Sequence, residues 1–292
     1  MKKKIIFRGT ATALVTPFRN GRIDYAEVGR LIERQIERGI DAIVIGGTTG
    51  EAAVLSDRER YHLFTYSKEK INGRAKLILG TGTNDTKVAV RHTKFAEKLG
   101  CDGILTVTPY YNKGTEEGVE KHYKSIANST SLPIILYNVP SRTGVNLGFN
   151  LLERLAKEEN IVAIKEASDS IDRLVTLAGF GEELTLYAGN DSQIYPTLAL
   201  GGGGVISVAS NLIPEKISSI CKKYFEGDFR ESLSLQIEIL PLVRALFLET
   251  NPAPIKYALS LRGFCRNELR LPLAPAREST RSVIDEILKA LG

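Results

Sequence analysis

A lysine closes the apolar run Ile161-Val162-Ala163-Ile164, and the two-residue alternation of a strand sets Lys165 on the same face as Ile161 and Ala163. If that face lines the interior of a barrel, apolar layers surround the ammonium group and desolvation favours the neutral amine. A neutral amine attacks a ketone and forms an imine. The competing reading is a lysine that ends a strand and pairs with its neighbour Glu166. Tyr137 ends the preceding apolar run, on the face of Ile135 and Val139, where a phenol can carry protons to and from a carbinolamine. Taken alone, such a residue is more often a packed core tyrosine.

Other residues after apolar runs have carboxylate-binding chemistry. Thr48 and Thr49 lie between Gly47 and Gly50 and offer two hydroxyls together with backbone N–H groups, although most such turns merely join a strand to a helix. Arg142 lies between Pro140 and Gly144, and its planar guanidinium suits a second carboxylate held bidentately; a solvated arginine is the alternative. Gly201-Gly202-Gly203-Gly204 has the composition of a phosphate cradle, but no lysine or helix cap follows at once. It reads as a tight turn that lets backbone approach a ligand, opposite Ala188-Gly189-Asn190-Asp191.

These residues need strands to carry them. Apolar runs of strand length recur at roughly thirty-residue intervals, each followed by an amphipathic stretch. They cover 12–16, 42–45, 77–80, 103–108, 134–138, 161–165, 184–188 and 204–208. Between them run helical patterns such as 25–38, with Val28, Leu31, Ile32, Gln35 and Ile36 in one stripe. Asp24, Ser56 with Glu59, and Asp85 or Thr86 are the candidate helix starts. Eight strand–helix units predict an α/β fold, a (β/α)8 TIM barrel whose active site lies at the C-terminal ends of its strands; an open doubly wound sheet fits the same pattern. After about residue 225 the alternation stops, and 229–248, 254–261 and 279–291 read as helices punctuated by Pro252, Pro254, Pro272 and Pro275. The expected division is a catalytic barrel over 1–225 and a C-terminal helical subdomain over 226–292.

Composition excludes several classes. Hydrophobic residues at 43% and charged residues at 25% argue against disorder, and no apolar stretch approaches a membrane span. The basic start, Met1-Lys2-Lys3-Lys4-Ile5-Ile6-Phe7-Arg8, lacks the apolar length of a leader, so no export is expected. The net charge of +5 comes from bases interleaved with acids, as in Asp57-Arg58-Glu59-Arg60, which reads as solvated helix faces rather than a nucleic-acid surface. Cys101, Cys221 and Cys265 are odd in number and scattered, with no metal spacing; buried packing in a reducing cytoplasm fits them.

Taken together, Gly47-Thr48-Thr49-Gly50-Glu51, Tyr110-Tyr111-Asn112, Tyr137-Asn138-Val139-Pro140-Ser141-Arg142-Thr143-Gly144 and Lys165-Glu166-Ala167 resemble the dihydrodipicolinate synthase family over nearly the whole chain. The resemblance implies a lyase of lysine and diaminopimelate biosynthesis that condenses pyruvate with L-aspartate 4-semialdehyde through an imine on Lys165. It implies a proton relay of Tyr137, Thr48 and Tyr111, the last supplied by the neighbouring subunit of a tight dimer within a homotetramer. It gives the pyruvate carboxylate to Thr48 and Thr49, lines the pocket with backbone at Gly189 and Ile206, and gives the semialdehyde carboxylate to Arg142. No metal or organic cofactor is implied, because the lysine is the electron sink. Related pyruvate aldolases, N-acetylneuraminate lyase and keto-deoxy-sugar-acid aldolases, share the barrel, tyrosine and lysine; Arg142 and Thr48 favour the synthase. An inactive binding homologue is the reading of another class, against which the intact Lys165, Tyr137, Thr48 and Tyr111 speak. The family's inhibitory lysine site is partly kept, at Ala53, Asn84 and Tyr110. Val88 stands where inhibited relatives carry a glutamate, with Asp57 and Arg60 at histidine positions, so inhibition by lysine is expected to be weak.

Overall fold

Eight parallel strands close on themselves in the computed structural model: β1 (Gly9–Ala13), β2 (Ala42–Ile45), β3 (Lys76–Gly80), β4 (Gly103–Val107), β5 (Ile134–Asn138), β6 (Ile161–Glu166), β7 (Thr185–Ala188) and β8 (Gly204–Ser207). Gly9 and Thr10 pair with Gly204 and Val205, which joins the last strand to the first and leaves the barrel sheet without a free edge. The fold is the expected TIM barrel, not an open sheet. The structure describes residue 3 and residues 5–291; Met1, Lys2, Lys4 and Gly292, including part of the start weighed above as a leader, lie outside the described residues. Among those described, no helix is long and apolar enough to cross a membrane.

Around the barrel run α1 (Tyr25–Glu37), α2 (Asp57–Ile71), α3 (Thr86–Leu99), α4 (Glu116–Ala127), α5 (Phe149–Leu155), α6 (Ile171–Ala178), α7 (Ile194–Ala199) and α8 (Pro214–Phe225). Their starts follow local chemistry. Asp24 caps α1, Ser56 and Glu59 form a reciprocal box on α2, and Asp85 rather than Thr86 caps α3 by accepting from the Lys87 and Val88 amides. Three further helices follow without strands: α9 (Phe229–Leu246), α10 (Ala253–Leu261) and α11 (Glu278–Leu291). α9 packs on α8 and α11, so the tail is laid against the barrel.

β1 begins three residues before its expected position. Its sequence, Gly-Thr-Ala-Thr-Ala, has no large apolar residue to signal a strand. Ala11 and Ala13 face the interior, while the Thr12 hydroxyl donates to Gln35 Oε1 at 2.7 Å on the helix side. β6 holds a second departure. Ile134 pairs with Ile161 but Ile135 pairs with Ala163, so β6 carries one extra residue, a bulge. Ile161 and Ile164 pack outside among the helices, and Val162 and Ala163 both pack inside. Lys165 therefore does not share the face of Ile161 as strict alternation requires.

The glycine run is also corrected. Gly204 opens β8 at φ 142, and a Cβ there would lie 1.8 Å from the Gly9 carbonyl oxygen. A Cβ on Gly203 would meet the Tyr187 ring at 3.0 Å. The run lets β8 enter the barrel against the start of β1, at the end opposite the loops that carry Thr48 and Arg142, and approaches protein rather than ligand.

Candidate active site

Lys165 and Tyr137 are register partners on β6 and β5, and both are buried. The Lys165 nitrogen lies 4.3 Å from the centre of the Tyr137 ring, a cation–π distance. Glu166, one residue on, is on the other side of the sheet. Its carboxylate accepts from Arg173 Nε at 2.7 Å, from Asn138 Nδ2 at 2.9 and 3.0 Å, and from the Ser168 amide at 2.9 Å. Those donors saturate Glu166, so the competing Lys165–Glu166 pair does not form. Among the described residues Lys165 has no ion-pair partner within 4 Å.

Tyr137 lines a cavity of about 500 Å³ together with Thr48, Arg142, Tyr110 and Asn251. Thr48 comes from the turn after β2 and is partly exposed to this space. Thr49 is buried, and its Oγ1 accepts from Asn251 Nδ2 at 3.0 Å. Arg142 lies on the single helical turn Pro140–Thr143 after β5 and donates through Nη2 to the Asn251 carbonyl at 2.8 Å. Asn251 thus ties the threonine turn to the arginine. It is a site residue that the sequence reading missed, because Asn251-Pro252 looked like loop punctuation.

Gly189 directly follows β7 and Ile206 lies on β8; neither they nor Lys165 are among the residues that line this cavity. The Gly189 amide donates to the Glu166 carbonyl at 2.7 Å, and a Cβ at this position would lie 2.6 Å from both that oxygen and Ala167 Cβ. Only glycine fits. Ile206 is wholly buried in the interior cluster. Asp191 was missed as a structural group: its Oδ2 accepts from the Val208 and Ala209 amides at 3.0 and 2.9 Å, fixing the end of β8. Burial raises its pKa, a shift opposed in part by hydrogen bonds and by the positive charge of Lys165. Tyr111 is not brought to this cavity within one chain; it is 87% exposed, at φ 72, on the loop after β4. Cysteine is no rival nucleophile. Burial pushes Cys101 and Cys221 up to about 12 and Cys265 up to about 11, leaving each a thiol at neutral pH.

Beside this site, with Thr48, Tyr137 and Arg142 lining one cavity, stand the comparisons with known proteins, which are made over the whole chain. The model of the dihydrodipicolinate synthetase family matches residues 6–291. The chain belongs to that family. It is accordingly a lyase. The 4-hydroxy-tetrahydrodipicolinate synthase of Thermotoga neapolitana is 46% identical over 292 residues, covering 98% of this chain and 99% of the relative. The crystal structure of dihydrodipicolinate synthase from Thermotoga maritima superposes with a TM-score of 0.95 at 43% identity, over 98% of this chain and 99% of that one. A further solved relative, with a TM-score of 0.95 and 44% identity over 97% of this chain and 96% of its own, is described as the first monomeric dihydrodipicolinate synthase variant.

Proposed function

We propose that this enzyme condenses pyruvate with L-aspartate 4-semialdehyde to 4-hydroxy-tetrahydrodipicolinate, in lysine and diaminopimelate biosynthesis, through an imine on Lys165. The observation that carries the reading is the buried Lys165 nitrogen against Tyr137, without an ion-pair partner within 4 Å among the described residues. Nζ adds to the ketone carbon of pyruvate, the carbinolamine loses water, and the imine withdraws electrons as the methyl carbon gives up a proton. The enamine carbon then adds to the aldehyde, whose oxygen takes up a proton to become the 4-hydroxyl, and the amine of the semialdehyde attacks the re-formed imine carbon, closing the ring and releasing Lys165 as the free amine. Tyr137, Thr48 and Tyr111 relay the protons; Thr48 and Thr49 hold the pyruvate carboxylate, with Gly189 and Ile206 as pocket wall; and Arg142 holds the second carboxylate.

Tyr111 projects from its own subunit, which supports the reading that it completes the site of a neighbour in a tight dimer, two of which form a homotetramer. The proposed division is a catalytic barrel over 1–225 and a helical subdomain over 226–292, in a cytoplasmic enzyme that engages neither nucleic acid nor membrane. Coupled assays with pyruvate and either L-aspartate 4-semialdehyde or N-acetylmannosamine test the assignment. Turnover with the semialdehyde alone supports it, and preference for the sugar overturns it.

A further inference from the structure

Glu51 and Lys256 form an ion pair in which neither side chain has any exposed surface. Glu51 ends the turn that carries Thr48 and Thr49, whereas Lys256 belongs to α10, in the helical tail. Lys256 Nζ donates to Glu51 Oε1 and, at 2.9 Å, to the Glu268 carbonyl, and it lies 4.2 Å from the centre of the Phe18 ring. The other oxygen of Glu51 accepts from the Arg270 amide at 3.0 Å. Cys265 and the Glu268 carboxylate are electrostatically coupled to Lys256, the Arg270 guanidinium to Glu51, and Glu27 to Cys265. Desolvation lowers the Lys256 pKa despite the opposing pull of Glu51.

Stability alone does not account for such a pair. Desolvating two charges commonly costs as much as their attraction returns, and apolar residues of similar volume fill the same space at least as well. The backbone also shows strain. Glu51 sits at φ 54, a region that suits glycine, so its conformation is held by what the carboxylate binds. That conformation closes the turn: the Glu51 amide donates to the Thr48 carbonyl at 3.0 Å, and the Gly50 amide to Gly47 at 3.1 Å. A second tie from the tail, Asn251 to the Thr49 hydroxyl, acts on the same turn.

We propose that Glu51 and Lys256 are a positioning pair that sets the Thr48 and Thr49 hydroxyls against the substrate on Lys165, which makes the helical tail part of the carboxylate site. The inference rests on the assignment of those threonines to the pyruvate carboxylate. It separates two effects that breaking the pair would otherwise mix. Lys256→Met leaves a lone buried carboxylate and loses stability as well as rate. The double variant Glu51→Gln with Lys256→Met is neutral and of similar volume, so it regains stability but lacks the link that orients the turn.

Melting temperature, kcat and KM for pyruvate, and borohydride trapping of the Lys165 imine are measured for the wild type and these variants, with kinetics taken well below each melting temperature. The double variant is expected to be folded and to trap the imine at saturating pyruvate. Its kcat/KM for pyruvate should be about a hundredfold low, mostly through KM, as for a misplacement of about 1 Å. A folded double variant with kcat/KM within about threefold of the wild type would overturn the proposal, because the pair would then be purely structural. Absence of an imine in the wild type would instead overturn the functional reading beneath it.

Discussion

Tyr137 and Lys165 face each other across adjacent parallel strands, with the lysine nitrogen 4.3 Å from the ring centre, while the Glu166 carboxylate beside them is bound on the far side of the sheet by Arg173. Among the described residues the arrangement leaves the Lys165 amine without an ion-pair partner within 4 Å, with Asp191 the carboxylate that feels its charge. It also makes Glu166 a structural anchor for the strand that carries the nucleophile.

Replacing that anchor should therefore cost stability before chemistry. Glu166→Leu leaves Arg173, itself 8% exposed, as an unpaired buried cation, a loss of about 3–5 kcal/mol. Urea unfolding measures it. A change below about 1 kcal/mol would show that the pair does not hold β6 in place.

Arg142 is assigned to the second substrate only. Arg142→Ala should still form the pyruvate imine but lose turnover with the semialdehyde, because a charge-assisted contact to its carboxylate is worth about 1.5–3 kcal/mol. Steady-state kinetics in each substrate separate the two. An unchanged KM for the semialdehyde would remove Arg142 from its role.

The pH dependence of stability carries a signature from His122. Burial pushes its imidazole down to about 4 from 6.5, and its Nε2 is buried without a partner while Nδ1 lies 2.9 Å from the Thr86 hydroxyl. Because the folded value is the lower one, the unfolded chain takes up the proton first. The contribution is intact above about pH 6.5 and falls as pH drops toward about 4, by at most about 1.4 kcal/mol per pH unit. Urea midpoints between those limits should fall more steeply for the wild type than for His122→Gln; equal slopes would exclude the assignment.

Lysine should inhibit weakly. The cavity continues past Tyr110 to Ala53, Asp57, Arg60, Val88 and His92. Valine cannot pair an ammonium, and Asp57 is already engaged by His92 at 3.0 Å and Arg91 at 2.7 Å, which lower its pKa. The absent glutamate alone removes a charged hydrogen bond, about ten- to a hundredfold in affinity. Titration with lysine should leave activity intact in the submillimolar range; half-inhibition there would contradict this reading.

Where aliphatic side chains carry the pattern, strands were legible in the sequence: 42–45 and 134–138 coincide with β2 and β5. β1 was displaced because its small and hydroxylated residues conceal alternation, and the β6 bulge has no local signal because it arises from pairing with β5. The same distinction holds at the site. Thr48, Tyr137 and Arg142 follow apolar runs and were found, whereas Asn251 and Lys256 act on a turn some two hundred residues away, a proximity that only the closed fold creates. Tyr111 could be placed by resemblance but not by geometry within one chain.

Borohydride trapping shows whether Lys165 is the imine-forming residue. The protein is incubated with pyruvate, reduced with borohydride, digested and mapped by peptide mass. The expected result is a single reduced adduct on the peptide containing Lys165, with activity lost in proportion, and no modification of Lys256, the other deeply buried lysine among the described residues, whose nitrogen is held by Glu51. An adduct on any other lysine, or none in correctly folded and active protein, would contradict it.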